Sequence, residues 1–306
     1  MQINSMNRAK RIGSMFFGPS GLVLFLIGLA APRLTAQQPT APNDVPTIPP
    51  GSAYRVTTLL SDIPGLAPVL DPLLVNPWGI AASSSSPFWV ANNGTSTAQL
   101  IRGDVGGAPV VLNPSPQTIT IPSGVPTGVV RNSTTDFQIT PPGGGTPAAA
   151  AFIFDSEIGD ISAWNGSSGT AAQTVVSMPG HVYKGLAIAN NGSGNFIYAA
   201  DFANNNIDVF NATFTLQTNA NFPFDDPTIP AGYAPFNITN LGGSLYVMYA
   251  KVGSGNDEEA GVGFGYVRKF TTNGVRLLTF GIDQGQFNAP WGATIAPSTF
   301  GVFGGA

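Results

Sequence analysis

Apolar residues in this chain gather in short runs split by polar, glycine-rich turns. The runs at 88–91, 151–154, 196–200 and 245–249 are rich in aromatic and β-branched residues, the composition of strands. Each leads into a turn such as Asn92-Asn93-Gly94, Glu157-Ile158-Gly159-Asp160 or Asn204-Asn205-Asn206. Asn, Asp and Gly tolerate the positive φ that tight hairpins demand. Further strands are predicted beyond the turns, at 161–164, 207–210 and 266–270, and then at 174–176 and 274–280.

A phrase recurs ahead of these runs. Its five copies are Asn76-Pro77-Trp78-Gly79-Ile80-Ala81, Val125-Pro126-Thr127-Gly128-Val129-Val130, Val182-Tyr183-Lys184-Gly185-Leu186-Ala187, Ala234-Pro235-Phe236-Asn237-Ile238-Thr239 and Ala289-Pro290-Trp291-Gly292-Ala293-Thr294. They lie about 50 residues apart, the period of a radial β array. Four antiparallel strands per period make one blade, so the expected fold is an all-β propeller. The fifth copy opens at Ala289, shortly before the sequence ends, and a strand expected at 54–60 has no evident partner. The expectation is an incomplete propeller over 51–306, truncated after about four and a half blades.

The N-terminal region reads differently. Arg8, Lys10 and Arg11 precede an apolar run at 15–31, and Leu34-Thr35-Ala36 offers a small-residue cleavage site. This is the layout of a secretory signal peptide over 1–36, followed by a Pro-rich linker over 37–50. A membrane anchor is the competing reading, but Gly18, Pro19 and Gly21 interrupt a run that barely reaches spanning length. The expected location is outside the cytoplasm, secreted or periplasmic, with no stable membrane span once the leader is removed.

Composition narrows the chemistry. Only 9% of residues are charged, the net charge is −4, and Gly fills 38 positions and Pro 27. No basic block follows the leader, which argues against a nucleic-acid partner. The chain has no cysteine, so disulfides, thiolate nucleophiles and cysteine-bound metals are excluded. Its single histidine, His181, rules out sites needing two or three histidines and is expected to be an exposed loop residue. No phosphate-binding glycine loop and no convincing nucleophile elbow occur.

The phrases Tyr54-Arg55-Val56-Thr57, Asn76-Pro77-Trp78-Gly79-Ile80-Ala81, Tyr183-Lys184-Gly185-Leu186-Ala187, Ala199-Ala200-Asp201-Phe202 and Ala231-Gly232-Tyr233-Ala234-Pro235-Phe236-Asn237-Ile238 resemble an uncharacterised family of exported bacterial propeller proteins. That family is distantly similar to six-bladed propellers of the NHL-repeat kind. The resemblance covers 54–306 and implies a six-bladed architecture and an exported location, without implying an activity.

Two constellations carry candidate chemistry. If the phrase opens the innermost strand of each blade, its third positions ring one mouth of the channel: Trp78, Thr127, Lys184, Phe236 and Trp291. Aromatic faces and one ammonium suit a small molecule, a carbohydrate or a protein partner. The competing reading is ordinary packing between blades, with Lys184 the exception because lysine is rarely buried without a partner. In the second constellation, Asp155 and Asp201 fall at equivalent strand ends and Asn92 lies nearby in the first blade. Such oxygen ligands could hold Ca2+, which would polarise an ester or lactone carbonyl. Turn capping is the competing reading there. The run Asn256-Asp257-Glu258-Glu259 is expected to be a solvated hairpin tip, and Asp225-Asp226-Pro227 a turn.

The leading functional expectation is an exported module that binds a ligand or protein at the channel mouth or blade loops. A calcium-dependent lactonase or lyase of the six-bladed class is the alternative, and a surface or matrix structural protein a second one.

Overall fold

The computed structural model describes residues 56–305, apart from 105, 123 and 286. The expected leader, linker and start of the 54–60 strand lie outside the described residues. The chain divides into two compact units, and the unit Leu59–Gly292 holds every strand found among the described residues. In the other unit, the described residues carry a single 3-10 turn at Gly301–Phe303, and Gly305 N donates to Ala296 O at 3.0 Å. The fifth phrase forms no strand among the described residues.

Within Leu59–Gly292, β1 (Leu60–Ser61) pairs in parallel with β2 (Val69–Leu70). Leu60 is therefore paired locally, not waiting for a distant closing partner. Four sheets then follow one another along the chain, each antiparallel throughout. The first holds β3 (Pro77–Ala81), β4 (Phe88–Asn92) and β5 (Thr97–Arg102), with β6 (Val111–Leu112) and β7 (Thr118–Thr120) both on β5. The second begins with β8 (Pro126–Arg131), after which β9 (Gln138–Ile139) and β10 (Ala148–Ala149) form a small separate ladder. It is completed by β11 (Phe152–Ser156), β12 (Asp160–Trp164) and β13 (Gln173–Ser177). The third holds β14 (Tyr183–Asn190), β15 (Asn195–Asp201) and β16 (Asn206–Phe210). The fourth holds β17 (Tyr233–Leu241), β18 (Ser244–Lys251), β19 (Gly265–Phe270) and β20 (Arg276–Ile282).

The first four copies of the phrase thus each open the first strand of a sheet, as the period predicts. The first sheet, with five strands, and the third, with three, depart from the four-stranded expectation. Beyond Phe210 the chain leaves the sheet, making only one bridge back from Leu216.

The strands are apolar without strict alternation because both faces of a blade are covered. Phe152 and Phe154 pack with Trp89, Leu100 and Ile119 of the first blade, whereas Ile153 between them packs with Tyr183, Ile197 and Ala199 of the third. One strand later, Ile197 and Ala199 face the second blade while Tyr198 and Ala200 face Val247 and Tyr249 of the fourth. The period-2 geometry of a strand deals successive residues to two different cores. Trp89 stacks on Phe152, ring centroids 4.1 Å apart.

Candidate functional site

A bulge recurs at one place in all four sheets, and the phrase lies in it. Pairing shifts between Pro77 and Ile80, between Pro126 and Val129, between Tyr183 and Leu186, and between Pro235 and Asn237. The third and fourth residues of each phrase together face one residue of the next strand, which bends the strand and re-aims its side chains.

Four of the five predicted mouth residues converge there. The Trp78 ring meets Phe236 at 5.7 Å and Trp291 at 5.5 Å, both edge-on. Lys184 Nζ lies 5.6 Å from the Trp78 centroid and 5.9 Å from that of Phe202. Trp291 Nε1 donates to Lys184 O at 2.6 Å. The convergence is closed, however. Lys184 is 1% exposed and Phe236 3%, and the Lys184 ammonium donates to Glu157 Oε1 and, at 3.3 Å, to Asp257 Oδ1. Phe236 packs with Phe202, Ala234 and Ala250, against which Trp78 and Trp291 lie half-buried. The residues expected to grip a ligand instead tie blades together. The 256–259 run is accordingly more than a solvated tip, because its Asp257 reaches back to Lys184.

Thr127 is fully buried and stands apart from this group. Its Oγ1 lies 3.0 Å from Asp155 Oδ1 and 2.9 Å from Tyr183 O. Gly128 N also donates to Asp155 Oδ1. Burial pushes the Asp155 carboxyl up to about 6, against the pull of the Gly128 and Thr127 hydrogen bonds.

Two of the three expected calcium ligands, Asn92 and Asp201, occupy equivalent strand positions. Asn92 pairs with Pro77, Ser156 with Pro126, and Asp201 with Tyr183. The residue equivalent to Asn92 and Asp201 is therefore Ser156. Asp155 sits one position earlier, opposite the bulge, so the equivalence expected from sequence is corrected by a single residue. One residue along a strand reverses the face. Asn92 Nδ2 donates to Thr97 Oγ1 at 3.2 Å, while Asp201 accepts from Val182 N at 3.1 Å and from Asn204 Nδ2 at 2.7 Å.

A different cluster forms around Asp201. In the β15–β16 hairpin Asp201 pairs with Asn206 and Ala199 with Asp208. Asp208 is thus diagonal to Asp201 on one face, within reach of the same partners. His181 Nδ1 approaches both, 2.6 Å from Asp201 Oδ2 and 2.9 Å from Asp208 Oδ2. Tyr183 Oη donates to Asp208 Oδ2 at 2.7 Å, and Asn206 Nδ2 to Asp208 Oδ1 at 2.9 Å. His181 is only 24% exposed at its side chain, which corrects the expectation of an exposed loop residue. Burial raises the Asp208 carboxyl more than the Tyr183 and His181 contacts lower it. Burial, with Asp208 beside it, likewise raises the Tyr183 phenol.

The turn that carries these asparagines also borders a cleft of about 700 Å3 between the third and fourth blades. Asn205, Asn219 and Asp225 line it with exposed polar groups, and Tyr233, Tyr249 and Pro235 supply apolar surface. Its floor is anchored by Asp226, whose side chain is 3% exposed and accepts from Arg268 Nε at 3.0 Å and Arg276 Nε at 2.6 Å. Burial opposes ionisation of Asp226, but Thr228, Arg276 and Arg268 together hold its carboxyl below the usual range. The expected turn at 225–227 is therefore also an anchoring point.

Consecutive antiparallel blades joined by bulged inner strands define a β-propeller-class protein. No protein-family model matches the chain. Two uncharacterised proteins of Acanthamoeba polyphaga mimivirus are similar to it. One is 32% identical over 257 residues, covering 80% of this chain and 61% of that protein. The other is 30% identical over 262 residues, covering 82% of this chain and 67% of that protein. The chain belongs to the family of these mimivirus proteins. Both relatives are viral, so the bacterial attribution gains no support from them. Solved structures similar to the chain include virginiamycin B lyase from Staphylococcus aureus with quinupristin, at 13% identity and TM-score 0.38 over 65% of this chain and 57% of that one. A streptogramin B lyase structure is similar at 16% identity and TM-score 0.40, over 71% of this chain and 72% of that one. Among the described residues, no helix is long and apolar enough to cross a membrane.

Proposed function

We propose that this chain is an exported binding module of the β-propeller class whose cleft between the third and fourth blades takes a hydroxyl-rich small molecule, of the saccharide type. The supporting observation is the cleft itself. Its volume of about 700 Å3 is that of a small-ligand site. Side-chain amides from Asn205 and Asn219 and the Asp225 carboxylate offer both donors and acceptors, as sugar hydroxyls require. Tyr233, Tyr249 and Pro235 supply apolar surface beside them. The channel-mouth residues Lys184 and Phe236 have no part in this reading, because they are buried against Glu157, Phe202 and Ala250.

The test is a glycan array followed by calorimetry on the purified full chain. Binding is expected to fall at least tenfold in Asn219→Ala and Asp225→Ala, with the melting temperature nearly unchanged because both residues are exposed. Absence of any saccharide ligand, or binding indifferent to both substitutions, would overturn the reading and leave a structural role in front. Export rests on the leader at 1–36, and the N-terminus of the mature product from a secreting host tests it.

A further inference from the structure

We propose that His181, Asp201 and Asp208 form a binding site for a divalent cation of the zinc class. The inference stands independently of the saccharide reading, although the two sites adjoin through Asn204 and Asn206.

The donor set comes first. One imidazole nitrogen and two carboxylate oxygens lie within 4.8 Å of one another. Imidazole suits zinc and its neighbours, and carboxylates are hard oxygen donors, so the mixture suits a borderline cation. Calcium, which prefers an all-oxygen shell, fits less well. Donors on a tetrahedral ion at bond lengths of about 2.0–2.2 Å stand roughly 3.4 Å apart. His181 Nδ1, at 2.6 and 2.9 Å from the two carboxylate oxygens, meets this once the side chains spread by less than about 1 Å.

His181 is left short of a hydrogen bond. Its Nδ1 is shielded from solvent and completes no hydrogen bond, although two carboxylate oxygens are that close. A buried nitrogen without a partner costs free energy. A cation held between the nitrogen and the oxygens relieves that cost without needing a proton directed along the ring plane.

Charge favours a cation as well. The side chains of Asp201 and Asp208 are 0% and 4% exposed, and among the described residues neither pairs with a lysine or arginine. Two buried carboxylates facing one imidazole leave an excess of negative charge that a divalent ion neutralises.

Finally, outer partners hold the carboxylates in place. Asn204 Nδ2 and Val182 N donate to Asp201, and Asn206 Nδ2 and Tyr183 Oη to Asp208. Supporting hydrogen bonds of this kind orient ligands around a metal.

Zinc and cobalt are the probes, added to tag-free full-length protein, with calcium and magnesium as controls. Zinc is expected to bind with one-to-one stoichiometry and to raise the melting temperature by roughly 5 °C at saturation, a mass-action effect. His181→Gln and Asp208→Asn should each weaken zinc at least tenfold. Because His181 is the single histidine of the chain, its ring resonances report occupancy without any variant, and cobalt should shift or broaden them at one equivalent. Failure of the wild-type protein to bind zinc at millimolar concentration would overturn the proposal. So would binding that leaves the His181 resonances unmoved.

Discussion

Gly79 faces Thr127 of the next blade so closely that a Cβ on it would sit 2.7 Å from the Thr127 carbonyl oxygen. Gly185 stands in the same relation to Asn237, with a Cβ there 3.1 Å from the Asn237 Cα and overlapping its side chain. The phrase therefore carries a glycine where one bulged strand passes over its neighbour. Gly79→Ala and Gly185→Ala should each destabilise the fold by about 1–3 kcal/mol through overpacking, partly offset by reduced freedom of the unfolded chain. Gly292→Ala, with nothing within 4 Å of its Cβ, should be nearly neutral. Urea melts of the three variants decide it, and equal midpoints would refute the packing argument.

Asp155 predicts a pH dependence. Its folded value of about 6 lies above the ordinary carboxylate value of 3.8. The folded state then holds this proton more tightly than the unfolded chain does. The group's stabilising share is full below the unfolded value and is lost as pH rises through about 6. The loss between pH 4 and 7 is about 3 kcal/mol at most. Asp155→Asn keeps an acceptor for Gly128 and Thr127 and removes the buried charge, so its stability should lack this decline. Urea midpoints from pH 4 to 8 check the prediction, and parallel curves for the two proteins would sink it.

The Lys184–Glu157 pair should respond asymmetrically. Removing Glu157, which is 23% exposed, leaves the buried ammonium with only the largely exposed Asp257. Lys184→Met fills the same space among Trp78 and Phe202 and releases a carboxylate that water can reach. Glu157→Ala should therefore cost about 2–4 kcal/mol and Lys184→Met about 1 kcal/mol or less. Thermal melts that reverse this order would show that Lys184 contributes more than packing.

Asp226 and Asp283 both contact Arg268, at 3% and 84% side-chain exposure. Asp226→Asn should cost about 3–5 kcal/mol by stranding buried guanidinium groups. Asp283→Asn should cost less than about 1 kcal/mol, as exposed pairs do. Because the Asp226 carboxyl is held low, its contribution is present above the unfolded carboxylate value and lost as pH falls through the folded one. An acid melt of Asp226→Asn should accordingly be flatter below pH 4 than that of the wild type.

The blade order was legible because its signals are local. Aromatic and β-branched runs, turn residues and the recurring phrase each lie within a few consecutive positions, and they located the opening strands of all four sheets. The chemistry was legible only in part. Trp78, Lys184, Phe236 and Trp291 do meet, as a ring of equivalent positions requires, but what closes off Lys184 and Phe236 is Phe202, Glu157 and Asp257, which lie well away from the phrases along the chain. Asp155 was misplaced by one residue because a bulge changes strand register without any mark in composition. His181 and Asp208 were missed as a pair for a related reason. The diagonal from Asp201 to Asp208 follows only when the hairpin pairs Asp201 with Asn206.

The sequence by itself thus determined the period, the strands and the absence of thiol and multi-histidine chemistry, since these depend on neighbours along the chain or on counting. Tertiary structure alone decided which side chains are closed off, which carboxylates share a partner and where a cleft opens. Those outcomes depend on register and on packing between blades, where a shift of one residue turns a side chain from one face to the other.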